Sequence, residues 1–194
     1  MNGLSRRVVV AELLRERDGL LVVAGLGAPA WDCAAAGDDA LNFYLWGGMG
    51  SAALVGLGLA LAQPSRKVIV VTGDGELLMG LGSLATIAVT RPRNYSIVVL
   101  DNERYGETGM QPTHTAFGVD LAGIAAQAGL AWAQTIVDAQ ELGALASRLK
   151  AGNGPGLAAI KVAAEDHPLV LPPRDGAFLK DRFRQALLGS EQEQ

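Results

Sequence analysis

The sequence is short of the groups that most often carry chemistry. It has one cysteine, Cys33, and two histidines in 194 residues. A lone cysteine forms no internal disulfide and gives no zinc or iron–sulfur pattern, so Cys33 reads as a small buried apolar residue. Aromatic residues are 5% of the chain and charged residues 19%, with a formal net charge of −4 and no basic cluster. Nucleic acid is therefore not an expected partner, because binding it takes a basic face. No basic, then apolar, then small-residue leader opens the chain, which predicts a cytoplasmic protein. No internal repeat or low-complexity run stands out. The stretch 41–65 has no charged residue and is long enough to span a bilayer. Asn42, Gln63 and Pro64 frame it, however, and Gly47, Gly48, Gly50, Gly56 and Gly58 break it up. It reads as chain buried on both sides in an α/β domain, and no membrane partner is expected.

What is abundant is apolar sequence, 49% of residues, enough for one sizeable core and a single domain over 1–194. The apolar run Val68–Val71 reads as a buried parallel strand. It stops at Gly73-Asp74-Gly75, and Leu77, Leu78, Leu81 and Leu84 follow at helical spacing, which predicts a helix over 76–89. A strand feeding a helix through glycines gathers free backbone N–H groups and the positive end of a helix dipole at one point, which suits phosphate. Asp74 would repel a phosphate directly but suits a divalent cation bridging carboxylate and phosphate oxygens. A second strand, 95–100, ends in Asp101-Asn102-Glu103-Arg104-Tyr105-Gly106, and 25 residues separate Gly75 from Asp101. One helix and one return strand fit that spacer. The two strand ends then fall side by side at the carboxyl edge of the sheet, where open α/β sheets bind ligands. Asn102 can offer a side-chain carbonyl to the same cation.

Gly-Asp-Gly, a spacer of this length and then Asp-Asn resembles the signature of enzymes dependent on thiamine diphosphate. The resemblance implies an α/β three-layer sandwich with a mostly parallel central sheet, the diphosphate-binding (PP-type) domain of that fold. It also implies that Asp74, Asn102 and the main-chain carbonyl of Arg104 hold Mg2+ against the diphosphate. Many members have Asn where this chain has Asp101, but the family's ligand is the second residue of the pair. Gly73, Gly75 and Glu76 then belong to the diphosphate loop, and Tyr105 and Gly106 follow the second ligand.

Earlier in the chain, the strand 20–24 runs into Gly25-Leu26-Gly27-Ala28-Pro29-Ala30, formally a dinucleotide fingerprint. That reading wants an acid at the end of the next strand for the ribose. The next strand, 41–45, ends in Trp46-Gly47-Gly48 instead, and Pro29 sits where the helix would present N–H groups. In the thiamine family the loop after the first strand approaches the diphosphate, which carries Gly27 and Ala28 over as contacts. Trp46-Gly47-Gly48-Met49-Gly50 allows close backbone approach to a ligand. By the resemblance, the Gly47 carbonyl and the Met49 N–H bind the aminopyrimidine while the Met49 side chain holds the cofactor bent.

Residues 103–118 form a long polar stretch with little periodicity, the character of a substrate loop or lid. Glu107, Thr108, Gln111, Thr113 and His114 are its candidates for substrate contact. His114, because a histidine side chain can titrate near neutral pH, and Glu107 are the catalytic candidates. The order from Tyr105 to Thr115 resembles the corresponding loop of sulfopyruvate and phosphonopyruvate decarboxylases. The chain closes with helices over 119–128 and 139–150, strands over 131–137 and 157–162, an extended tail and a last amphipathic helix about 175–188. An opening helix is expected over 4–17.

The resemblance covers nearly the whole chain, but only one of the family's two cofactor-binding domains. The glutamate that activates the pyrimidine belongs to the other, so a separate pyrimidine-binding (alpha) subunit is the expected partner. A hetero-oligomer of two of each chain or larger follows. The implied activity is decarboxylation of a small anionic 2-oxo acid. A carboligase would share every motif. A 2-oxo acid oxidoreductase subunit would need iron–sulfur partners, and this chain brings no cysteines for a cluster. The intact Asp74 and Asn102 argue against a non-catalytic binding subunit.

Overall fold

A computed structural model describes residues 3–189. Its central sheet has six strands, β1 (Leu21–Ala24), β2 (Asn42–Tyr44), β3 (Val68–Gly73), β4 (Tyr95–Asp101), β7 (Trp132–Ile136) and β8 (Gly156–Lys161). They lie in the order β2-β1-β3-β4-β8-β7, and every pairing is parallel. Helices cover both faces, as a parallel sheet built from crossovers requires. On one face Val22, Ala24, Ile69, Val71, Val98 and Ile160 meet α1 (Arg6–Leu14), α2 (Ala28–Ala35) and α7 (Leu142–Ala151). On the other, Leu21, Val23, Val68, Val70, Ile97 and Val99 meet α3 (Ala52–Ala62), α5 (Ser83–Thr90) and α6 (Leu121–Ala128). Alternate residues of each strand face opposite layers, so both alternations are apolar and the strands read as continuous apolar runs. This is the expected three-layer α/β arrangement.

Four local features differ from the expectation. The helix foreseen over 76–89 is two helices, α4 (Asp74–Met79) and α5. Gly80, Leu81 and Gly82 separate them, because Gly80 packs its backbone directly on that of Gly50. The polar stretch 103–118 is not irregular throughout. It carries a short antiparallel hairpin, β5 (Arg104–Tyr105) with β6 (Gln111–Pro112), and 3-10 turns over Gly106–Thr108 and His114–Phe117. The charge-free stretch, expected to be buried on both sides, holds the 11-residue α3 with Leu54 and Leu61 exposed on its outer face; as expected, no helix among the described residues is long and apolar enough to cross a membrane. The opening helix is shorter than expected, starting at Arg6 and ending at Leu14.

The tail folds back onto the domain. Helix α8 (Gly176–Leu188) lies on the edge strand β2, with Phe183 edge-on to Phe43 at 5.4 Å and Arg182 paired with Asp38 at 2.6 Å. That covers an edge which would otherwise offer unpaired backbone groups.

Candidate functional site

The strand order reverses between β1 and β3, so the loops leaving their carboxyl ends diverge and open a crevice, the usual ligand position in open α/β sheets. Three segments converge there. The loop after β1 brings Leu26 and Ala28, the turn from β3 into α4 brings Gly73, Asp74, Gly75 and Glu76, and the end of β4 brings Asn102, Arg104, Tyr105, Gly106 and Glu107. These residues line one cavity of about 180 Å3, with Met49, Thr108, Pro29 and Arg6 completing its wall. Twelve residues singled out in the sequence therefore meet in one place.

The other candidates lie around it. Gly27 caps α2 with φ +76°, a conformation that favours glycine, and a Cβ there would come within 2.7 Å of the Glu107 carboxylate. Glu107 thus sits against the first loop. His114 is exposed and lines an adjoining hollow with Met49, Gly75, Leu78, Met79, Tyr105 and Thr108. Gly47 and Gly48 are outside the lining of both hollows. Trp46 turns away altogether. Its indole N–H donates to the Pro173 carbonyl at 2.7 Å, and the Arg174 guanidinium lies 5.3 Å above its ring. Trp46 thereby anchors the tail. Gln111 hydrogen-bonds Thr108 and closes the hairpin turn.

Asp74 is the most tightly specified group in the crevice. It is 2% exposed, and its Oδ2 accepts the Thr113 hydroxyl proton at 2.5 Å, with the Thr115 hydroxyl oxygen 3.2 Å away. Burial pushes its pKa up to about 6 and neighbouring Asp101 adds to the rise, while the threonine hydroxyls oppose it. A divalent cation at Oδ1 would favour the ionised form. Asn102 accepts the Arg104 N–H on its side-chain oxygen at 3.0 Å, an Asx turn that leaves a second lone pair. Arg104 faces Pro112 across the hairpin, and a proline has no N–H to offer the Arg104 carbonyl. Among the described residues no three His, Cys, Asp or Glu side chains cluster as a metal site. A cation here would take one carboxylate, one amide oxygen and one main-chain oxygen, the hard donor set that suits magnesium.

Glu76 faces inward. Its Oε2 accepts the Thr72 hydroxyl at 2.7 Å, while Oε1 is buried without a hydrogen-bond partner. Burial raises its pKa, and the Thr72 hydroxyl and backbone N–H groups of Ala52, Gly50 and Leu26 pull it back. Glu76 thus packs against the loop after β1, where a Cβ at Gly25 would fall on its carboxylate.

The family model for thiamine pyrophosphate enzymes, C-terminal TPP binding domain, matches residues 27–162. The chain belongs to this family. Among family relatives, the beta subunit of sulfopyruvate decarboxylase from Methanocaldococcus jannaschii is 46% identical over 110 residues, 57% of this chain and 58% of that one. A phosphonopyruvate decarboxylase from Streptomyces viridochromogenes is 40% identical over 149 residues, 77% of this chain and 36% of the other. The match therefore spans little more than half of the first relative and about a third of the second. The solved benzoylformate decarboxylase from Polynucleobacter necessarius superposes with a TM-score of 0.71 over 86% of this chain and 34% of that one, at 18% identity. That likeness is one of fold.

Sequence reasoning missed the roles of three residues. Arg6 reaches the cavity wall from α1, where it reads as one more arginine on an amphipathic helix. Thr113, expected to touch substrate, is buried and bound to Asp74, and Thr115 joins it. No local pattern announces a threonine that folds inward, because only the hairpin return brings 113–115 beside residue 74.

Proposed function

We propose that this chain is the diphosphate-binding subunit of a thiamine-diphosphate-dependent 2-oxo acid decarboxylase, acting with a separate pyrimidine-binding subunit. What supports this is that Asp74, Asn102 and Arg104 line one crevice in a chain of this family. In this reading those three oxygens hold Mg2+ against the diphosphate. Gly73, Gly75, Gly27 and Ala28 let the backbone come close to the phosphates, and Gly47 and Met49 meet the pyrimidine, with Met49 supporting the bend of the cofactor. Bound there, thiamine diphosphate supplies the electron sink for loss of CO2 from a 2-oxo acid.

The protein's own groups bind and orient. Met49, Leu26 and Leu100 exclude water from one side of the crevice. Glu107 and His114 stand at its mouth, placed to hold or move a proton at the reacting end of a substrate. In this reading the acid that activates the pyrimidine comes from the partner. The relatives' names supply the substrate class, a 2-oxo acid with a sulfonate or phosphonate at its far end. Arg104 and residues of the partner would meet that second charge. The assembly is a hetero-oligomer with at least two of each chain.

The test is CO2 release from sulfopyruvate and phosphonopyruvate, measured with this chain alone, with a pyrimidine-domain polypeptide alone, and with both. Release only from the pair, dependent on Mg2+, is expected. Full activity from this chain alone would overturn the need for a partner. Failure of the pair on both acids would overturn the substrate class, and product analysis would reveal a carboligase instead.

A further inference from the structure

Behind Asp74 runs an unbroken path of side chains. Lys161, at the end of β8, reaches Asp101 Oδ2 and Glu103 Oε1, both at 2.8 Å. Asp101 Oδ1 accepts the Thr115 hydroxyl at 2.7 Å. The Thr115 and Thr113 hydroxyls lie 2.9 Å apart, and both reach the same oxygen of Asp74. Asp74, Asp101, Thr113 and Thr115 are all buried. Among the described residues every side-chain hydrogen bond to Asp74 falls on Oδ2, which fixes the carboxylate plane and leaves Oδ1 turned to the other side.

The two threonines also hold the loop. They flank His114, and the Thr113 N–H donates to the Glu103 carbonyl at 3.0 Å. With both neighbours tucked inward, His114 is turned out to the hollow beside Met49. The contacts that orient the carboxylate are thus the ones that fasten the 103–118 segment.

We infer that Thr113 and Thr115 are positioning residues that couple the cation site to the loop carrying His114, with the Lys161–Asp101 pair as the fixed anchor behind them. This rests on the reading of Asp74 as a cation ligand and deepens it. Groups that orient a metal ligand commonly matter for affinity by ten- to a hundred-fold. Once Oδ1 holds a cation the carboxylate cannot swing, so the threonines and their loop are held more firmly. Conversely, a loop that has come away leaves Asp74 free to turn from the cation.

The experiment uses the full chain with its pyrimidine-domain partner and thiamine diphosphate, with Mn2+ as the probe. Free Mn2+ is counted by electron paramagnetic resonance, and hydrogen exchange is followed across 103–118. Thr115→Val is expected to weaken Mn2+ binding by about ten-fold and to speed exchange in the loop, whereas Thr115→Ser keeps both near the starting protein. Tyr95→Phe, which removes a buried hydrogen bond to the Ala53 carbonyl far from the site, serves as the destabilised control. It should lower the unfolding midpoint and leave Mn2+ affinity unchanged. Unaltered Mn2+ binding and loop exchange in Thr115→Val, or equal losses in Tyr95→Phe, would overturn the coupling while leaving the cofactor reading intact. Absence of Mn2+ binding in the unmutated complex would overturn both.

Discussion

Replacing Gly80 by alanine tests how the loop after β2 and the turn after α4 are held together. Gly80 ends α4 with φ −106° and ψ 26°, angles open to alanine, so its backbone does not demand glycine. Its surroundings do. A Cβ there would fall on the carbonyl oxygen of Gly50, and a backbone atom cannot rotate aside as the tip of a side chain can. The two backbones must part by roughly an ångström to restore ordinary contact distances. Overpacking of this kind costs about 1–3 kcal/mol, partly offset by the ~0.4–1 kcal/mol that alanine gains over glycine by restricting the unfolded chain. A net loss of about 1–2 kcal/mol lowers the midpoint of a chain this size by roughly 2–8 °C.

The functional effect should be larger than the thermal one. Gly50 follows Met49, so the displacement moves Met49 in the cavity wall, and ångström misplacements cost up to about a hundred-fold. Scanning calorimetry and titration of thiamine diphosphate with Mg2+ into the assembled pair give both numbers. Gly82→Ala is the control, since nothing lies within 4 Å of a Cβ there. It should be neutral or slightly stabilising. Equal behaviour of the two variants would refute the backbone contact as the device that places Met49.

Three further outcomes follow from buried groups. Asp32 is fully buried between Arg6 at 2.7 Å and Arg7 at 3.1 Å, so Asp32→Asn leaves a buried guanidinium on the cavity wall uncompensated. It should cost roughly 3–5 kcal/mol in denaturant unfolding, and a loss under 1 kcal/mol would deny the pair its role. Tyr95→Phe removes the 2.7 Å bond to Ala53 and should cost about 1 kcal/mol, read from the shift of the same unfolding curve. The Cys33 thiol is pushed up to about 12 by burial, with Asp32 adding to the rise. It should stay unreactive to a disulfide reagent at pH 8 until the protein unfolds, since the thiolate is the reactive form; rapid labelling of the native protein would contradict this.

The crevice could be read from the sequence because its parts are local. Gly73-Asp74-Gly75 and Asn102 sit at strand ends, and a spacer of fixed length puts neighbouring parallel strands side by side. The apolar runs revealed the sheet for a similar reason, since burial on both faces leaves no polar alternation to confuse it. What escaped notice depends on contacts between distant segments. The break at 80–82 arises from the backbone of Gly50, thirty positions away in sequence. Trp46 opens the glycine-rich loop 46–50, yet the tail at Pro173 claims its N–H. The inward turn of Thr113 and Thr115 requires the hairpin 104–112, whose two-residue strands are too short for any periodicity to show.

The most direct measurement is calorimetric titration of thiamine diphosphate into the assembled pair, with Mg2+, after its removal by chelation, and in Asp74→Ala. Tight binding that needs Mg2+ and disappears in Asp74→Ala is the predicted result. Binding that persists without Asp74, or binding of NADH in place of thiamine diphosphate, would contradict the account.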